Sequence, residues 1–276
     1  MDAEVVNRLL DLNRQFYSAF AARFSASRVA PWPGFARLLP YLPHGAHVLD
    51  LGCGNGRLAC FLDEHRRDIT YLGLDFSPEL LALAREATAH LSHIAFAFRI
   101  VNFADPDWME VVEGQRFDAV LALAVLQHIP GFDRRLHLVR QAAALVQPGG
   151  VLALSNWQFT AVERLRRKIV PWWRVGIDPS GVEDGDYLLE WRRGGVAYRY
   201  CHLVDEEEVR ALAAAAGLEL AESFRADGKE GDLNLYAVLR PGRCSQRTAM
   251  ASGSAADVAV RWEQAYSPDL RGARPT

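Results

Sequence analysis

Apolar positions along the chain change period several times, and those changes lay out the elements. Val5, Leu9, Leu12, Phe16, Phe20 and Phe24 step by three or four, which predicts an amphipathic helix over 3–24. Pro31 and Pro33 flank Trp32 and break the regularity, and a short helix is expected near 35–39. From residue 46 short apolar runs alternate with stretches of helical period. Strands are expected at 47–51, 70–74, 95–101, 117–123 and 150–156, and helices at 57–65, 78–90 and 133–145. Ser77 before Pro78 reads as the N-cap and first turn of the second of these helices. The run at 117–123 is mostly apolar, as expected of a strand buried on both faces. A helix over 205–216, stopped by Gly217, and two more strands at 218–224 and 233–239 follow. This alternation predicts an α/β fold, a largely parallel seven-stranded sheet with helices on both faces.

Three stretches fall outside the alternation. Residues 1–45 form an N-terminal helical segment, read as a lid or substrate segment. Residues 158–198, rich in Trp and Arg and without a clear period, read as an insertion in a core domain spanning 46–240. Residues 241–276 are Gly/Ser/Ala/Arg-rich and aperiodic, and are expected to be a mobile tail with a short helix at 255–266.

Half of the 276 residues are hydrophobic and 24% are charged, which is an ordinary globular composition. The net charge of −3 excludes a surface that is a polycation throughout, while leaving room for a local basic patch. The longest apolar run, 119–126, is far short of the ~20 residues a membrane span needs. The acidic start Met1-Asp2-Ala3-Glu4 does not read as a secretory signal. Cys53, Cys60, Cys201 and Cys244 lack paired spacing, so reduced thiols, a cytoplasmic location and no metal site are expected.

The chemistry centres on Val48-Leu49-Asp50-Leu51-Gly52-Cys53-Gly54-Asn55-Gly56. A strand that ends in glycines turns sharply and lets a ligand touch backbone. The spacing is Gly52-x-Gly54-x-Gly56, and Arg57 stands where a dinucleotide fingerprint has its last glycine, which argues against a pyrophosphate. Asp50, two residues before the first glycine, repels phosphate but accepts hydrogen bonds from an ammonium group. Asp75 ends the second strand, where a carboxylate can hold two ribose hydroxyls. An acid, a glycine turn and a second acid suit S-adenosylmethionine, a nucleoside with an amino-acid arm and no phosphate.

Over residues 46–156 this constellation resembles the class I S-adenosylmethionine-dependent methyltransferases. The resemblance implies a Rossmann-like methyltransferase sheet, mostly parallel with an antiparallel last strand. It also implies a donor site made of Tyr17, Asp50, Gly52, Cys53, Gly54, Asn55, Gly56, Asp75, Phe76, Asn102, Phe103 and Leu123. In it Asn102 and Phe103 stand at the adenine contacts, with Asn where many members have Asp. The segments 123–128 and 146–150 match the family's stretches after strand four and before strand five.

The flanks carry a narrower likeness. Tyr17-x-x-x-Ala21-x-x-Phe24-Ser25-x-Ser27-Arg28 with Pro31-Trp32-Pro33 is similar to the opening segment of the tRNA wobble carboxymethyluridine methyltransferases, with Ser27 in place of their usual Thr. Asp186-Tyr187-Leu188-Leu189-Glu190-Trp191 and Arg199-Tyr200-Cys201-His202-Leu203 resemble their later segments, with Cys201 replacing a Tyr. Asn234 matches the Asn of an Asn-Trp pair whose Trp is Leu235 here. This resemblance implies methyl esterification of a carboxymethyl group on tRNA, and leaves room for a helper subunit.

A carboxylate acceptor has an unperturbed pKa of ~4, so it needs no general base. It needs cations that orient it in line with the departing sulfur. Arg28 and Arg199 are the candidates; each has the alternative of a surface ion pair. His202 is a candidate substrate contact or a packed structural residue. His128, at the carboxyl edge of strand four, matters as a base mainly for a hydroxyl or amine acceptor. Tyr17 either closes over the methionine end of the donor or is core. The run Arg164, Arg166, Arg167, Lys168, Arg174, with Trp172 and Trp173, then Arg192 and Arg193, suits phosphate attraction and base stacking, or is a solvated face. The alternatives to tRNA are a small-molecule acid or phenol, methylated at O or N, and a non-catalytic partner subunit that binds the donor.

Overall fold

A computed structural model describes residues 1–28 and 30–242. The expected tail helix at 255–266 and Cys244 lie outside the described residues. Met1–Gly242 forms one compact unit.

Helix α1 runs Ala3–Ala26, started by Asp2, whose carboxylate accepts the Glu4 N–H at 2.7 Å. A short helix α2, Pro33–Leu38, precedes strand β1, His47–Leu51. Then follow α3 (Arg57–His65), β2 (Ile69–Asp75), α4 (Pro78–Thr88), β3 (Ile94–Ile100) and β4 (Phe117–Leu123). Ser77 caps α4 as its sequence predicts, its hydroxyl accepting the Leu80 N–H at 3.1 Å. Helix α5 spans Phe132–Ala144 and β5 Val146–Trp157.

The main sheet is completed by β9 (Leu218–Ala226) and β10 (Asn234–Pro241), in the order β3-β2-β1-β4-β5-β10-β9. β1 to β5 pair in parallel, and β10 runs antiparallel to both β5 and β9, as expected of the last strand. Val48, Tyr71, Ala119, Leu121 and Val151 pack with residues of α2, α3 and α4. Their neighbours Leu49, Leu72, Val120 and Leu152 are equally buried, on the other face of the pleat, where α5 and the last helix pack. Burial on both faces explains the nearly unbroken apolar runs.

The stretch expected to be an aperiodic insertion holds a second sheet. Short helix α6 (Glu163–Arg166) leads to β6 (Ile169–Val170), β7 (Asp186–Trp191) and β8 (Ala197–His202), all antiparallel. Helix α7 (Glu206–Ala215) then returns the chain to the main sheet. Both faces of the small sheet are covered. Leu188 and Tyr200 pack on Leu9 of α1 and on Trp172, while Leu189 and Cys201 pack on Phe159 and Leu165. Two covered faces remove the alternation that marks a half-exposed strand. Helix α1 lies against α4 of the main layer and against β8 of the small sheet.

Candidate active site

The chain leaves β1 through Gly52 (φ 72°) and Gly54 (φ 57°), in the left-handed region that glycine adopts at no steric cost. The Gly52 and Cys53 N–H groups donate to the Leu74 carbonyl at 2.7 and 3.0 Å, which ties the turn to β2. A Cβ at Gly52 would lie 2.5 Å from Val125 Cγ2, whereas one at Gly54 would meet open space. Gly54 therefore offers bare backbone to the cavity it lines.

Two carboxylates frame this turn. Asp75 accepts the Gly54 N–H at 2.8 Å with one oxygen and the Ser77 N–H at 2.9 Å with the other. Asp50 accepts the Tyr71 hydroxyl at 2.6 Å. Burial pushes Asp75 up to about 6 and Asp50 up to about 7, and Asp75 adds to the rise at Asp50. Both acids would be relieved by an occupant that brings an ammonium group and hydroxyl donors.

The turn opens into a cavity of about 490 Å³. Cys53, Asn55, Phe76, Asn102, Phe103 and Leu123 share its wall with Asp50, Gly52, Gly54 and Asp75. Asn55 donates to Ser25 Oγ at 2.9 Å and so joins the turn to the end of α1. Asn102 closes its own bend, accepting the Ala104 N–H and donating to Asp105. Gly56 does not line the cavity; it sits at the N-terminus of α3, where a Cβ would be 3.2 Å from Ala84 Cβ.

Another part of the wall is built by α1, β8 and the turn after β4. The Tyr17 hydroxyl lies 3.0 Å from His128 Nε2, and His128 Nδ1 lies 3.2 Å from the Tyr200 carbonyl. That carbonyl only accepts, so Nδ1 carries the proton and Nε2 accepts from Tyr17. Burial, helped by Arg199, pulls His128 down to about 3. Arg199 is buried, packs against the rings of Phe16 and Trp157, and donates to the Tyr17 hydroxyl. Arg28 lies 3.5 Å above the Phe24 ring, and burial and the nearby Arg199 lower it to about 9. Asn13, one helical turn before Tyr17, accepts the Tyr200 N–H at 2.9 Å. It went unremarked in the sequence, although a lone polar residue on the apolar stripe was the available signal. Trp157 also lines the cavity without any sequence pattern that marks it, and Trp191 lines it from the motif-like segment 186–191.

His202 is not on the cavity wall. It is buried between Asp186 (2.7 Å) and Glu208 (2.8 Å), and Arg135 pairs with Glu208 (2.6 Å) and Glu183 (3.1 Å). The candidate substrate contact is thus a packed member of a charge network joining α5, β7, β8 and α7. The basic run divides as well. Arg164, Lys168 and Arg193 line the cavity. Arg166 and Arg167 pair with Glu163, and Arg192 with Glu190. Trp172 is buried against Leu9, while Trp173 is 67% exposed with the Arg174 guanidinium 4.7 Å from its ring.

The Rossmann-like sheet with its open glycine turn between two acids is that of an S-adenosylmethionine-dependent methyltransferase, the class its family match and its relatives show. A family profile described as a methyltransferase domain matches residues 22–223, and the chain belongs to that family. It is 31% identical over 143 residues to the mouse tRNA (carboxymethyluridine(34)-5-O)-methyltransferase ALKBH8, a match covering 52% of this chain and 19% of the mouse protein. The chain therefore spans only a small part of the length of that relative. It is 34% identical over 180 residues to a ubiquinone biosynthesis O-methyltransferase of Coxiella burnetii, covering 64% of this chain and 65% of that protein. Among solved structures, the N-methyltransferase NodS of Bradyrhizobium japonicum, in complex with S-adenosyl-L-homocysteine, superposes with a TM-score of 0.53 at 19% identity, covering 85% of this chain and 98% of that one. That likeness is one of fold. Among the described residues no helix is long and apolar enough to cross a membrane.

Proposed function

We propose that this methyltransferase esterifies a carboxylate, and that the acceptor is the carboxymethyl group of a tRNA wobble uridine. The observation that carries this reading is the Arg28–Arg199 pair on the cavity wall. Neither guanidinium has a carboxylate partner among the described residues, and each is held by aromatic rings and hydroxyl groups. The 31% identity to a tRNA carboxymethyluridine enzyme supports the choice of acceptor.

The donor supplies an electrophilic methyl group on a sulfonium. Asp75 would accept its ribose hydroxyls, Asp50 would face its ammonium, and Phe76, Asn102 and Phe103 would flank its base. Tyr17, fixed by His128 and Arg199, would close over its methionine end. A carboxylate acceptor arrives ionised, so no residue has to remove a proton. Arg28 and Arg199 hold its oxygens, and the cost of ordering is met before the reaction. His128 fits this chemistry, because its Nε2 lone pair is occupied by Tyr17 and its proton affinity is low.

A second reading, a small-molecule O-methyltransferase, draws on the ubiquinone-pathway relative, whose match covers 65% of its length. One experiment separates the two. The enzyme is incubated with methyl-labelled donor and bulk tRNA, and the product is treated with mild alkali. Alkali-labile label on tRNA supports the ester. Base-stable label, or label only on a metabolite extract, overturns it.

A further inference from the structure

The cavity wall carries seven cationic side chains against two carboxylates, Asp50 and Asp75, in a chain whose net charge is −3. Both acids belong to the glycine turn. Of the cations, Arg14 is paired with Asp11, and Arg57 lies over Trp32 and donates to the Ala30 carbonyl. The other five are Arg28, Arg199, Arg164, Lys168 and Arg193. None of them has a carboxylate within ion-pair distance among the described residues. They also feel one another: Arg164, Arg199, Arg193 and Arg28 each push the Lys168 ammonium down, after its own burial. Gathering like charges this way is unfavourable until an anion enters.

One carboxylate does not balance five cations. The five also differ in place. Arg28 and Arg199 are the inner members, packed on Phe24, Phe16 and Trp157. Arg164 and Arg193 are exposed and Lys168 is half-buried, so these three form a rim. Arg164 and Lys168 lie four residues apart in and just after α6, and Arg193 comes from the β7–β8 turn. Three cations that line one cavity and act on one another suit a phosphate, which offers three or more acceptor oxygens around one centre, better than a flat carboxylate.

We propose that the rim of Arg164, Lys168 and Arg193 is a phosphate subsite, so that the acceptor is a nucleotide whose carboxylate goes to Arg28 and Arg199 while its own phosphate sits at the rim. This rests on the acceptor-acid reading above and adds to it: recognition of the phosphate occurs within the methyl-transfer cavity, separately from any outer RNA-binding surface.

The test is calorimetry on the whole chain saturated with S-adenosylhomocysteine, titrated with uridine, uridine 5′-monophosphate, inorganic phosphate and succinate. The monophosphate is expected to bind at least about tenfold more tightly than uridine, because a charge-assisted contact is added. Inorganic phosphate should compete for that gain, and succinate should not. The double variant Lys168→Gln/Arg193→Gln should lose the gain and keep its affinity for S-adenosylhomocysteine; both residues are at least partly solvent-exposed, so the fold is not at stake. Equal binding of uridine and its monophosphate, a gain that survives the double variant, or succinate competing as well as phosphate would each overturn the subsite. Because no methyl transfer is read, a phosphate gain in an enzyme that never labels tRNA would sink the acceptor reading and leave the subsite standing.

Discussion

The Tyr17 hydroxyl donates a hydrogen bond to His128 Nε2 across 3.0 Å, and the backbone carbonyl of Tyr200 accepts from the opposite ring nitrogen. With its proton affinity pulled down to about 3, this histidine stays neutral at every pH at which the protein works. It is a positioning residue for Tyr17. His128→Asn is expected to slow turnover by about three- to tenfold, the worth of one neutral hydrogen bond at ~0.5–1.5 kcal/mol. At saturating donor the pH dependence of turnover between about pH 6 and 9 should be the same in the variant as in the wild type, since His128 does not titrate there. A limb near about pH 6.5 that disappears in the variant would show His128 acting as a base.

On the proposed placement of the donor, the two acids that flank the glycine turn would set the pH range of its binding. Their folded values, about 6 for Asp75 and about 7 for Asp50, lie above the ordinary value of ~4. In the free protein they favour folding most when protonated, below about pH 4, and that contribution is lost as pH rises through those two values. The ionised forms are the ones that bind an ammonium and a ribose diol. Donor affinity should therefore fall as pH drops below about 7, and the donor-induced rise in melting temperature should be larger at about pH 8 than at about pH 5.5. Asp75→Asn should weaken the donor by about 1.5–3 kcal/mol in calorimetry. Unchanged affinity would remove the ribose role from Asp75.

Arg28 and Arg199 are expected to separate in mutagenesis. Arg28 is half-buried, so Arg28→Lys keeps a charge but loses the forked donor geometry. It should lower kcat/KM for the acceptor by about tenfold or more while leaving the donor dissociation constant unchanged. An equal loss in donor binding would place Arg28 at the donor instead.

The Arg135–Glu208–His202–Asp186 network predicts a stability effect without a site effect. His202 is raised by its partners Asp186 and Glu208 against the opposing effect of burial. Its contribution is complete below its unfolded value of ~6.5 and is lost as pH rises through the higher folded value. Glu208 is lowered, because His202 and Arg135 outweigh burial, so its contribution is present above ~4.3 and lost as pH falls through the folded value. Urea unfolding should show the wild type weakening from about pH 6 to 9, and His202→Asn should flatten that slope. Arg135→Met removes the cation shared by Glu183 and Glu208, leaving Glu208 with His202 alone, and should cost about 3–5 kcal/mol.

The main sheet was legible because each strand has its own local signal: a short apolar run, a cap or a glycine stop. The glycine turn and both acids were legible for the same reason, since they lie within one strand–turn–helix unit and the next strand end. The small sheet was not. Both of its faces are covered, and its β7–β8 turn, Arg192–Val196, is longer than a two-residue hairpin with a diagnostic Asn-Gly. His202 stood beside an aromatic in a motif-like segment, and only the three-dimensional structure shows its ring turned to Asp186 and Glu208, away from the cavity. The division of the basic run between Arg164, Lys168 and Arg193 on the cavity and Arg166 and Arg167 on Glu163 depends on helix phase and chain return, which composition does not encode.

Helix α1 lies against α4 on one side and β8 on the other, so residues nearly two hundred positions apart, Asn13 and Tyr200, share a hydrogen bond beside the chamber. Closing a loop of that length carries an entropic cost that docking of the helix has to offset. The chamber is therefore complete only once the first helix has docked. Cofactor affinity then doubles as a gauge of complete maturation: a chain that has its central sheet but has not docked its first helix would be well structured and catalytically silent.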